Sequence, residues 1–354
     1  MYLKKALDRG GGIFNALLIT AAASALTLSS ESCRSGVEKG VELCLKVLIP
    51  SLFPFMALSA MAVKTGLCQA LGRRTGRITK RLFGLSGSFA PIILLSLVGG
   101  YPVGARGISE LCDSGAADVH QAKKAAMFAV CAGPGFLVNY VGSSLYGSTA
   151  VGLTILAAQV MSVMIIGAVL NLFDRDKGNY NSTKESYTPP LPISAAIVES
   201  AYSAAKGMAL ICSLVLIFSA ATGIVVKLLP EPARDIWIIM SEVCSAVTLT
   251  SGKFPIEITA FAVGFGGICV HFQIFSSLGK IKINKLLFFF VRIIQGVLTA
   301  LLTKLLSLVF LGEEAVFSSS AVGSSGFFGG SVISAAALTA VTVCFLFTMK
   351  NNGR

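Results

Sequence analysis

Apolar residues in this chain come in long blocks, without the short alternation of strands or the one-sided stripe of a soluble helix. Blocks fall at residues 13–30, 41–63, 128–146, 149–173, 208–229, 261–279, 286–311 and 333–349. Each is about the 20 residues that an α-helix needs to cross a bilayer. Two further apolar pieces, 89–98 and 236–251, are too short to cross unaided. The first runs into Gly99, Gly100, Tyr101, Pro102, Val103 and Gly104. The second holds Glu242 and ends in Thr248, Thr250 and Gly252. Half a helix in, a turn, and half a helix out is the reading these pieces support. The pattern predicts an all-α polytopic membrane protein with about eight transmembrane helices and two re-entrant hairpins.

Two of the long blocks repeat each other. Without gaps, Phe128, Ala129 and Val130 fall on Phe261, Ala262 and Val263. Gly133 falls on Gly266, and Ser143, Ser144 and Leu145 fall on Ser276, Ser277 and Leu278. Each copy is interrupted near its middle, by Gly133, Pro134 and Gly135 in the first and by Gly264, Gly266 and Gly267 in the second. A helix broken at membrane depth frees backbone groups that lipid cannot satisfy. Such breaks persist only where protein or a water-filled cavity covers them. Single glycines also serve helix packing. A matched pair of breaks in two halves points instead to the central site of a transporter. The chain then divides into a first helix and external loop (1–40), a first repeat (41–173), a polar linker (174–192), a second repeat (193–311), and an external loop with a last helix (312–354).

Charge orients this arrangement. Lys64, Arg73, Arg74, Arg77, Lys80 and Arg81 form the most basic loop; Lys123 with Lys124, and Lys280, Lys282 and Lys285, form two more. Basic loops stay in the cytoplasm. With the amino terminus inside, all three are cytoplasmic, and the stretches near Glu31, Glu231 and Glu313 are external. The two halves then have opposite orientation, an inverted repeat. The first block also fits a signal peptide, with residues 21–25 as a cleavage region, but an uncleaved helix suits a chain that is membrane throughout.

Composition agrees: 54% of the 354 residues are hydrophobic and 13% charged, against about 25% charged in soluble domains. The net charge of +12 needs no nucleic acid, since cytoplasmic loops account for it. The nine cysteines are scattered through apolar stretches, and the two histidines lie far apart. No metal spacing, zinc-protease motif or phosphate-binding loop appears. No catalytic residue, metal or cofactor is expected, and the chain does not read as an enzyme.

Ionisable groups at membrane depth cost about 2.5–3.5 kcal/mol each. Glu242 and His271 fall there, with Asn139 and Gln273 near the breaks, and Arg292, Gln295 and Gln159 on the long spans that follow them. They read either as a proton-coupled solute site or as structural partners, with Glu242 paired to Arg292 or Lys253 and His271 bonded to a neighbouring helix.

The motifs at 52–61 (LFPFMALSAM), 99–106 (GGYPVGAR), 132–136 (AGPGF) and 264–273 (GFGGICVHFQ) resemble those of the sporulation integral membrane proteins of endospore-forming Firmicutes. That family belongs to the nucleoside-recognition, or Gate-domain, group. The resemblance implies a multi-pass protein of the mother-cell or outer forespore membrane, required for spore cortex formation. Gate domains also occur in nucleoside and ferrous-iron transporters, which implies passage of a small solute. The partners implied are the bilayer, that solute, and a second copy or other sporulation membrane proteins. The rival is a scaffold for spore-envelope assembly that transports nothing.

Overall fold

The computed structural model describes residues 23–174 and 190–311, together with Leu17, Ile19 and Thr20. All regular structure among them is helical. Five helices are long and apolar enough to cross a membrane: Ser30–Lys64, Thr149–Phe173, Ile193–Leu228, Ile256–Ser277 and Lys285–Phe310. The expected last span and most of the first lie outside the described residues, as do most of the polar linker and Glu313. Leucines 301, 305 and 308 stand exposed, while Arg292, Gln295 and Thr299 are fully buried. That inside-out distribution suits lipid as the surrounding solvent.

Helix α1 (Ser30–Lys64) includes residues 31–46, which the charge pattern assigned in part to an external loop. Ion pairs between Arg34 and Glu38 (2.8 Å) and between Lys46 and Glu42 (2.7 Å) sit one turn apart on its exposed face. A π-helical turn at Cys44–Leu48 precedes Pro50 and Pro54. Ser51 Oγ donates to Val47 O there (2.5 Å), covering a carbonyl beside the prolines.

The basic stretch after α1 is also helical, contrary to the loop expected: α2 runs Leu67–Phe83. Its inward face is Cys68, Gly72, Thr79 and Phe83, and Arg73, Arg74, Arg77, Lys80 and Arg81 face outward. Five basic residues fall among its apolar ones, so the stretch forms no long apolar block and reads as a loop.

Helices α3 (Phe89–Gly99) and α4 (Tyr101–Asp113) form the first hairpin. Helix α5 (Val119–Phe128) then starts at Asp118, whose carboxylate accepts from the His120 and Gln121 amides. The Lys123 and Lys124 loop is therefore helical as well. Residues 129–133 are irregular, and α6 (Gly135–Leu145) is wound as a π-helix. Helix α7 (Thr149–Phe173) closes the first half.

The second half repeats this order. Helix α8 (Ile193–Leu228) runs 36 residues, extending the apolar block at 208–229 toward the linker. Helices α9 (Glu231–Ser241) and α10 (Val243–Lys253) form the second hairpin, tied at its open end by Lys253 to Glu231 (2.8 Å) and Asp235 (2.7 Å). Helices α11 (Ile256–Phe265) and α12 (Gly267–Ser277) are the second broken pair, and α13 (Lys285–Phe310) follows. Helix α2 has no counterpart in this half.

Helices α1 and α8 pack antiparallel along their lengths. Gly36 and Gly40 meet Ser219, Gly223 meets Ser32, and at the other end Lys64 pairs with Glu199 (3.1 Å). The long helices α7 and α13 touch at Ser162 and Thr299 (3.0 Å).

Candidate functional site

Each hairpin turn rests on the break of its own half. In the first, Gly100 turns the chain with φ +94°, and Gly133 lies so close that a Cβ there would stand 2.6 Å from Val98 O and 3.2 Å from Gly100 N. In the second, a Cβ on Gly267 would stand 3.1 Å from both Ser241 O and Glu242 N. Gly266 and Gly267 have φ +86° and +76°, conformations that favour glycine. Gly99 packs on Phe55 and Val103, and Gly104 on Ser96. Pro102 sits in the first turn of α4, where a missing N–H costs nothing, and Pro134 leads into α6.

The carbonyls freed by the breaks are satisfied from other helices. Tyr101 Oη donates to Val263 O, across the two halves. His271 Nε2 donates to Phe265 O (3.0 Å). Ser96 Oγ donates to Ala129 O (2.9 Å). The central group is Arg292 on α13, which no solvent reaches. Its Nη1 donates to Val130 O (2.7 Å) in the first break and to Gln295 Oε1 (2.6 Å). Its Nη2 donates to Gly264 O (2.6 Å) and its Nε to Phe265 O (3.2 Å) in the second. The Tyr101 ring lies 5.6 Å from its guanidinium carbon.

Neither ion pair considered for Glu242 forms. Its carboxylate caps α10, accepting from Cys244 N (2.9 Å) and Ser245 N (2.8 Å). A carboxylate at a helix amino terminus is favoured by the dipole and covers two donors at once. Lys253 is engaged at the hairpin's open end instead. The His271 ring lies edge-on to Phe265, Phe288 and Phe289, an apolar setting for a hydrogen-bonded imidazole. Gln273 faces Cys269 Sγ (3.4 Å) and Asn139 is half-buried on α6; neither joins the cluster around Arg292. Tyr101, Gly264, Gly266 and His271 do.

Two features had no signal in the sequence. One is a line of hydroxyls between the halves: Tyr140 to Thr248 (2.9 Å), and Tyr146 to Thr259 (2.7 Å) and on to Thr250 (2.8 Å). The other is a cavity of about 810 Å³ between α1, α8 and the second hairpin, reaching down to Tyr140, Ser245 and Thr248. Its volume is in the range of small-molecule sites. Lys39, Lys46, Lys227, Glu31 and Glu42 also line it. A smaller cavity of about 460 Å³ lies beside Lys64, Glu199 and Pro190. There Arg106 donates to Ser203 Oγ (2.5 Å), which donates to Glu110 (2.7 Å). Among the described residues no group of side chains is arranged to hold a metal ion.

No family model matches the chain, and no solved structure matches it. The chain is 20% identical to the sporulation integral membrane protein YlbJ of Bacillus subtilis (strain 168), over 87% of its own length and 88% of that protein's. Its long apolar helices and this near full-length match make it a distant, multi-pass membrane relative of the YlbJ-like sporulation proteins.

Proposed function

We propose that the protein is a permease-like membrane protein of sporulation that passes a small solute, nucleoside-like or other, during spore cortex formation. The observation that carries this reading is the doubled hairpin-on-break arrangement, with a cavity of about 810 Å³ descending to the second hairpin. In this reading the halves form an inverted repeat and both hairpins are re-entrant. The end bearing Lys64, α2 and Lys280 is cytoplasmic, and the end bearing Glu231 and Lys253 is external. The membrane is that of the mother cell or the outer forespore membrane. Cysteines introduced at Arg77 and Glu231 should then label from opposite sides of the membrane; labelling from one side rejects the inverted repeat.

A scaffold for spore-envelope assembly is the second reading, because the freed carbonyls at the two breaks are already bonded by side chains. Thr248 separates the two. It faces the cavity, with its hydroxyl bonded only to Tyr140 and to Cys244 O. Thr248→Trp fills the cavity floor without entering the core. A permease should lose spore heat resistance at unchanged membrane abundance. Normal heat resistance in that strain favours the scaffold.

A further inference from the structure

Arg292 carries a guanidinium with no solvent exposure, and among the described residues no carboxylate pairs with it. A buried charge without a counter-charge is costly. What surrounds it here is oxygen: the carbonyls of Val130, Gly264 and Phe265, and Oε1 of Gln295. Gly264 and Phe265 are the last residues of α11, and Val130 follows the end of α5 by two residues. The negative ends of two half-helices therefore converge on one point. In broken-helix transporters, unwound carbonyls and half-helix carboxyl ends of this kind coordinate a monovalent cation.

We propose that the two breaks form a monovalent-cation site and that the Arg292 guanidinium is its permanent occupant. An arginine suits the place because it keeps its charge in proteins and presents five donors in a planar fork. The fork reaches both breaks at once, so it locks the two halves together without a bound ion. Solute movement through this protein then draws no coupling from sodium at this junction. That last consequence rests on the permease reading; the occupied site itself does not.

The test reads stability, so the fate of the Thr248→Trp strain does not bear on it. Full-length protein is purified in detergent and its thermal unfolding compared in choline, sodium, potassium and low-millimolar guanidinium chlorides at equal ionic strength. The wild type should unfold at the same temperature in all four. Arg292→Ala should unfold several degrees lower in choline, recover with guanidinium, and recover in part with sodium. An Arg292→Ala midpoint equal to the wild type in choline, or a fall that no small cation reverses, overturns the proposal. Should Arg292→Ala yield no folded protein, Arg292→Lys and Arg292→Met decide. Lysine should lie closer to the wild type than methionine does. Equal midpoints for the two, or a methionine variant as stable as the wild type, overturn the proposal equally.

Discussion

The two breaks solve one problem in different ways. The first spreads over five irregular residues, 129–133, and needs no positive φ at Gly133. The second is a sharp joint, with the single residue Gly266 between two helices and two consecutive glycines at positive φ. The hairpin turns differ in the same sense. Gly100 turns the first and brings no side chain, whereas Glu242 turns the second and caps the helix that follows with its own carboxylate. The long helices behind the breaks differ most. At the spacing that lays Phe128 on Phe261, Gln159 of α7 falls on Arg292 of α13. Arg292 serves carbonyls of both breaks, and Gln159 serves none. One side chain of α13 thus bonds to both breaks, alongside Ser96, Tyr101 and His271, and α7 offers no equivalent. The difference teaches that two matched breaks need not be served by matched side chains.

The largest expected effect comes from forcing a side chain into either joint. Gly267→Leu meets the backbone of the second hairpin turn and a φ of +76°, a left-handed conformation that costs an L-residue about 1–2 kcal/mol before any clash. Gly133→Leu meets the carbonyl of Val98 and the amide of Gly100, with no penalty from φ. Both should abolish spore heat resistance. In thermal unfolding Gly133→Ala should be at least as damaging as Gly267→Ala, because its Cβ would stand 2.6 Å from a backbone carbonyl against 3.1 Å in the second joint, where a φ of +76° adds strain to a lighter clash. A clearly worse Gly267→Ala would mean that backbone strain, and not close approach, sets the cost.

The breaks themselves were legible in the sequence because glycine and proline act locally: a Gly-Pro-Gly or Gly-Phe-Gly-Gly run inside an apolar block has few other meanings. The helix pair at 89–113 was legible for the same reason, whereas that at 231–253 turns at Glu242 and showed in the sequence only as an apolar piece too short to cross. The partner of each break was not. Arg292 lies 162 residues from Val130 in sequence, and only the packing of α13 against both broken pairs brings them together. Glu242 was seen as a charge at depth, but its role as a cap depends on the turn falling immediately before Val243. Helix α2 was read as a basic loop because its five basic residues leave no long apolar block, although its inward face of Cys68, Gly72, Thr79 and Phe83 keeps the helical spacing.

A smaller effect, on the unpartnered side of the comparison, tests whether Gln159 is idle. It is 1% exposed; among the described residues neither Nε2 nor Oε1 reaches a partner at full hydrogen-bond geometry, and the polar group it interacts with is the Tyr101 hydroxyl. A buried polar group without a partner forfeits about 1–3 kcal/mol of desolvation. Gln159→Leu keeps the volume and removes that loss. The variant should therefore unfold at a higher temperature than the wild type, by the equivalent of about 1 kcal/mol once imperfect packing is allowed for. A lower midpoint would mean that the amide has a partner after all, with the Tyr101 hydroxyl the nearest candidate, and the contrast with Arg292 would shrink. Spore heat resistance of the same variant carries the comparison further. A gain in stability with normal spores makes Gln159 a passive remnant opposite Arg292. A gain in stability with defective spores means that the amide acts in a second arrangement of the two halves, where the first break takes its bonds from α7.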